Sequence, residues 1–212
     1  MKRLSLLPLV TILAACVSTP NVPPVHYYVL GNGEPRALAQ RASEARRVIL
    51  VNPTSVSAFY DTQRLVYSRA AGERAYYQFA AWTERPGRAF SELLSLRLGA
   101  PSTTSGVRGD LVLYTRLDEL YHDAARAPGA VRITVSAELV DASGRLVGER
   151  RRFARSVQTS AENAAAAVEA ANRAVSEVLD EIGAWTSGYQ SGADPRVESA
   201  GQRPYLANAA AP

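Results

Sequence analysis

Between residues 131 and 139 apolar and polar positions alternate without a break. Val131, Ile133, Val135, Ala137 and Leu139 fall on one side, Arg132, Thr134, Ser136 and Glu138 on the other. A period of two sends successive side chains to opposite faces of a strand, so one sheet face is packed and the other polar. Asp141-Ala142-Ser143-Gly144 then reads as a turn, with a return strand over about 145–158. The preceding "DLVLYTRLDELYHD" (110–123) predicts a strand with Leu111, Leu113 and Leu117 on one face. Strand signals also stand at "HYYVL" (26–30), closed by Gly31-Asn32-Gly33, and at "RRVILVNP" (46–53), closed by Asn-Pro. "QRLVYSR" (63–69) and "RAYYQFAAW" (74–82) flank Ala70-Ala71-Gly72-Glu73 as a hairpin.

Two segments change to helical spacing. Phe90, Leu93, Leu94 and Leu98 recur every three or four residues after Pro86, which suits a first helical turn, and before Gly99, which suits a C-terminal cap. The second runs through Val168, Ala171, Val175, Val178, Ile182 and Trp185, with Thr159-Ser160-Ala161-Glu162 at capping-box spacing. The order predicts an α+β fold: a largely antiparallel sheet packed by two helices, about 86–98 and 160–186, in a single-domain sandwich.

The N-terminus has a different character. Met1-Lys2-Arg3 precedes an apolar run from Leu4 to Ala15, the plan of an export signal and too short for a spanning helix of roughly 20 residues. The only cysteine of the 212 residues, Cys16, follows directly. Leu13-Ala14-Ala15-Cys16 resembles the lipobox of bacterial lipoproteins. That resemblance implies cleavage before Cys16, a lipid on its thiol and an acylated amine. Val17 in second position leans toward the outer membrane by the same resemblance, with inner-membrane anchoring left open. The expected layout is a signal peptide over 1–15, a lipidated Cys16 and Pro-rich tether over 16–25, a folded domain over 26–189 and a disordered tail over 190–212.

Hydrophobic residues make up 47% of the chain, enough for a packed core. The net charge of +4 falls by two when Lys2 and Arg3 leave with the signal, so the full sequence overstates the basicity, and export argues against nucleic acid as a partner. "GERRRFARS" (148–156) concentrates arginine; in a strand Arg151, Phe153 and Arg155 share a face opposite Arg150 and Arg152. Arg151 and Arg155 are candidates for contact with anionic lipid or an acidic partner, weighed against a solvated sheet face. Tyr76, Tyr77 and Trp82 belong to an aromatic cluster with Tyr67 and Phe79, read mainly as core and otherwise as a partner- or lipid-facing surface.

Chemistry is sparse. There are two histidines, His26 and His122. "DELYHD" around His122 reads as a solvated strand end or loop rather than a cation site, since a zinc site needs three or four ligands. No G-x-S-x-G nucleophile elbow and no P-loop occurs, and "LGNGEPR" lacks the third glycine of a dinucleotide fingerprint. No catalytic residue, metal or cofactor is expected.

The stretch "RLVYSRAAGERAYYQFAAWTERPGRAFSELL" (64–94) resembles the ABC-type transport auxiliary lipoproteins, the group containing PqiC-like proteins. Arg64-Leu65-Val66-Tyr67, Tyr76-Tyr77, Phe79, Trp82, Glu84, Pro86 and the leucine helix carry the likeness, with "YYVL" after a lipobox and tether. The resemblance implies a non-catalytic, lipid-anchored component of an ABC system, facing the periplasm and docking on a partner with an MCE (mammalian cell entry) domain. Permease and ATPase would be separate chains, and the system would move lipids or other apolar compounds between membranes. A homo-oligomer is compatible with this. The alternative is a structural or assembly-accessory outer-membrane lipoprotein without a transport role.

Overall fold

A computed structural model describes residues 22–31 and 47–191. The signal segment, Cys16 and the expected tail from residue 192 onward lie outside the described residues. Eight strands form one sheet: β1 (His26–Tyr28), β2 (Ile49–Val51), β3 (Ser55–Val56), β4 (Arg64–Ser68), β5 (Ala75–Trp82), β6 (Leu111–Asp123), β7 (Ala130–Asp141) and β8 (Leu146–Gln158). Two helices, α1 (Pro86–Leu98) and α2 (Ala164–Gln190), complete the α+β domain.

The order across the sheet is β1-β5-β4-β6-β7-β8, with β2 and β3 also paired to β6. Opposite β7, the 13-residue β6 therefore receives β2, β3 and β4 end to end along one edge, at Leu111–Leu113, Arg116–Leu117 and His122–Asp123. Those three pairings and β1–β5 are parallel; β4–β5, β6–β7 and β7–β8 are antiparallel. The sheet is thus mixed. The long ladders are antiparallel, as the hairpin signals predict. The parallel pairs join short segments far apart in sequence, which no local signal encodes.

Both helices cover one sheet face. Ile49, Val51, Leu111, Leu113, Leu117, Ile133, Val135 and Leu139 from the strands meet Phe90 and Leu94 of α1 and Val175, Val178 and Ile182 of α2. The alternation of 131–139 is realised as expected, with its apolar set buried and Arg132 exposed. The other face is polar and carries ion pairs between Arg116 and Asp118, Arg132 and Asp123, Arg150 and Glu138, and Arg74 and Glu119.

α1 occupies the predicted span. Pro86 stands at its start, and Gly99 at φ 58° closes it, with Gly99 N–H on Leu96 O (3.3 Å) and Ala100 N–H on Ser95 O (3.0 Å). One polar device ties it to α2. Arg97, 6% exposed, pairs with Asp180 and donates to Ser176 Oγ at 3.1 Å. The guanidinium thereby keeps charge-assisted partners inside the helix layer.

α2 begins later than the capping-box spacing predicts. Asn163, in extended backbone, is the cap, and its Oδ1 accepts from the Ala166 N–H at 2.9 Å. Thr159 is buried instead and donates to the Pro128 carbonyl, pinning the end of β8 to the β6–β7 connection. The helix also runs four residues past the expected end, because Tyr189 extends the buried stripe beyond Trp185.

Candidate functional site

β6 explains the site. Its register against β7 shifts between Leu117 and Glu119. Without a bulge Leu117 and Leu120 would face opposite ways; with it both are buried, and so is His122. The expectation that "DELYHD" is a solvated strand end is therefore corrected for His122, which is 2% exposed, while Asp118, Glu119 and Asp123 ion-pair with arginines. The three-residue spacing from Leu117 to Leu120 in an otherwise alternating strand is the sequence mark of that bulge. β5 has a similar irregularity, with Ala81 opposite Arg64 but Tyr76 opposite Val66. It lets Tyr77 and Trp82, five positions apart, pack against the same core.

A groove of about 980 Å³ results, open between β1, β4 and β5 and the first turn of α2. Tyr28, Tyr67, Tyr77 and Phe79 supply its aromatic wall, and Asn163 and Ala165 the helical one. Tyr67 and Tyr77 rings lie 4.9 Å apart, tilted by 55°. The Tyr77 ring is parallel to that of His122, and its hydroxyl is 2.7 Å from His122 Nδ1. Burial, the largest influence on each, raises the Tyr77 pKa and lowers that of His122. Both are neutral near pH 7, so one proton is shared across this contact, its donor set by the imidazole tautomer. Nε2 lies against the Pro128–Gly129 turn without a partner of hydrogen-bond geometry.

That buried imidazole makes stability pH-dependent. Desolvation outweighs Asp123, the Pro128 carbonyl and Glu162, which pull the other way, so the folded-state pKa lies below 6.5. The unfolded chain then binds more protons at acidic pH. The contribution is complete above pH 6.5 and is lost as the pH falls through the folded pKa. Urea melts on either side of pH 6.5 should show a stability loss on the acid side that His122→Phe reduces.

The sequence-nominated residues separate. Tyr77 lines the groove. Tyr76 also borders it, with its ring stacked on Phe59 at 4.7 Å and capped by Arg64 at 4.3 Å. Trp82 is 5% exposed and belongs to the core. Arg151 and Arg155 sit on β8, with β4, β6 and β7 between it and β5. Arg155 is engaged by Glu177 and Glu181 of α2, and the Arg151 guanidinium lies 5.6 Å over the Phe153 ring. Cys16 is outside the described residues. His122, Tyr28 and the start of α2 are the part that sequence reasoning missed. Among the described residues no cluster of three or more His, Cys, Asp or Glu is placed to hold a metal ion. No described helix is long and apolar enough to cross a membrane.

A one-sided mixed sheet under two helices, with an aromatic groove beside the first strand, defines a small α+β domain. The sequence matches the ABC-type transport auxiliary lipoprotein component family over residues 28–183, and the chain belongs to that family. This makes it a membrane-anchored lipoprotein of the envelope that works with the components of an ABC transport system. The fold is similar to that of a Xanthomonas campestris protein of the DUF330 family, at 20% identity and TM-score 0.67, covering 79% of this chain and 99% of that one. It is also similar to an uncharacterized protein of known structure, at 15% identity and TM-score 0.59, covering 76% and 97%. No curated protein matches the sequence.

Proposed function

We propose that this chain is a non-catalytic auxiliary component of an intermembrane transport system for lipids or other apolar compounds. It is held at the outer membrane by a lipid on Cys16, faces the periplasm and docks on the MCE-domain partner of an ABC permease and ATPase. The family match over 28–183 carries the reading, and Leu13-Ala14-Ala15-Cys16 before a Pro-rich tether supports the anchor. Several acyl chains at about 0.8 kcal/mol per buried methylene make such an anchor firm, where one chain alone is marginal.

The test is affinity capture of the full-length protein from detergent-solubilised envelopes. The expected co-purifying proteins are an MCE-domain protein with its permease and ATPase. Cys16→Ser should move the chain out of the membrane fraction. Recovery of secretin or membrane-insertase subunits in place of transporter components would overturn the reading in favour of an assembly accessory.

A further inference from the structure

We propose that the groove between β1, β4, β5 and the start of α2 holds an acyl chain of a phospholipid from the bilayer in which the protein is anchored. This rests on the Cys16 anchor described above. Three observations converge on it.

The first is wall chemistry. Tyr28, Tyr67, Tyr77 and Phe79 line an open groove opposite Ala164 and Ala165, side chains too small to fill it. Aromatic faces and methyl groups of this kind favour an apolar guest, while the tyrosines suit a boundary between oil and water. The second is size. At about 980 Å³ the space lies near the upper end of the roughly 300–1,000 Å³ of ligand sites.

The third is reach. His26 and Tyr28, the first strand of the fold, form part of the groove wall. His26 follows Cys16 by ten residues. Ten extended residues span at most about 36 Å, so the groove is held within one tether length of the bilayer surface. A bilayer lipid is thereby the apolar ligand presented to this site at the highest local concentration. Charge at the rim agrees. Arg69 lines the groove, with its guanidinium 5.4 Å over the Tyr67 ring, and no salt bridge engages it among the described residues. It offers a phosphate headgroup a cationic contact, against one carboxylate on the lining among the described residues, Glu162.

The experiment uses the lipidated full chain in nanodiscs of phosphatidylethanolamine and phosphatidylglycerol doped with a phosphatidylethanolamine bearing a diazirine in its acyl tail. After irradiation, labelled peptides are located by mass spectrometry. Labelling is expected on residues 76–80 and 162–165, beside labelling of the tether. Ala165→Trp, at an exposed position on the helical wall, should lower groove labelling at least tenfold and leave tether labelling unchanged. Ala124→Trp, on the β6 side of the groove, provides a second blocking variant if the first melts early. Arg152→Glu, on the far strand, should change nothing. Labelling confined to the tether, or groove labelling that survives both tryptophans in folded protein, overturns the proposal. So does cross-linking of a probe at residue 165 to residues 32–46 of the same chain, which would make the occupant the protein itself. Capture of transporter components by the same variants separates the two readings. Capture without groove labelling removes the lipid site alone, and groove labelling without capture removes the docking partner alone.

Discussion

Phe90→Ala is expected to cost about 3–5 kcal/mol of folding stability, measured as a fall in the urea midpoint at constant slope. Phe90 is fully buried in the second turn of α1, and strand residues Ile49 and Val51 and helix residues Val175 and Val178 belong to the same core. Truncation removes the transfer free energy of the ring and leaves a void. The surrounding wall is held by a sheet on one side and a 27-residue helix on the other, so little of that void can collapse. Domains of this size have total stabilities of about 5–15 kcal/mol, so the variant is expected to be partly unfolded at 37 °C. Phe90→Leu, which keeps most of the volume, should lose less than half as much. Equal losses for both would show that the site is not tightly packed.

Gly129→Ala should be the next most damaging change, at about 3 kcal/mol. Gly129 has φ +88°, a conformation that costs a non-glycine residue about 1–3 kcal/mol. An added Cβ would also stand 2.6 Å from His122 Nε2 and 2.8 Å from the Asp123 carbonyl. The second contact is with backbone and has no rotamer to escape into. The His122 ring must therefore shift, and with it the hydrogen-bond partner of the Tyr77 hydroxyl. Thermal melts should register the strain, and tyrosine fluorescence of the groove should change with them. Gly72→Ala serves as the comparison: φ is +80° there too, but the added methyl meets nothing within 4 Å. The difference between the two variants isolates the clash from the backbone strain, and an equal loss at both would refute the clash.

Much of the fold is legible in the sequence because its long elements carry clean periods. The 131–139 alternation, the Pro86-to-Gly99 frame of α1 and the apolar stripe of α2 each place an element within a few residues. Legibility fails where pairing is non-local. Ile49–Val51 is recognisable as a strand, yet nothing in it says that it lies parallel to Leu111–Leu113, about sixty residues away. It fails again at irregularities. The shift after Leu117 buries His122, which looks like a loop residue between acidic neighbours, and the shift in β5 lets Tyr77 and Trp82 pack against the same core. The groove is assembled by those two shifts and by the Asn163 cap, so only its aromatic members can be nominated in advance. Local competition also decides the start of α2. Thr159 and Asn163 are both good caps, and Thr159 is consumed by the Pro128 carbonyl.

The sharing of one β6 edge by three short strands has a kinetic consequence. β6, β7 and β8 are joined by brief connections and close their ladders between near neighbours in sequence. β2, β3 and β4 gain their partner only after a loop of some fifty residues or more is closed. The C-terminal meander with α2 is thus set to form first and exchange its amides last. The β2, β3 and β4 side, joined to β6 by a few parallel hydrogen bonds, becomes the layer that opens while the remainder stays folded.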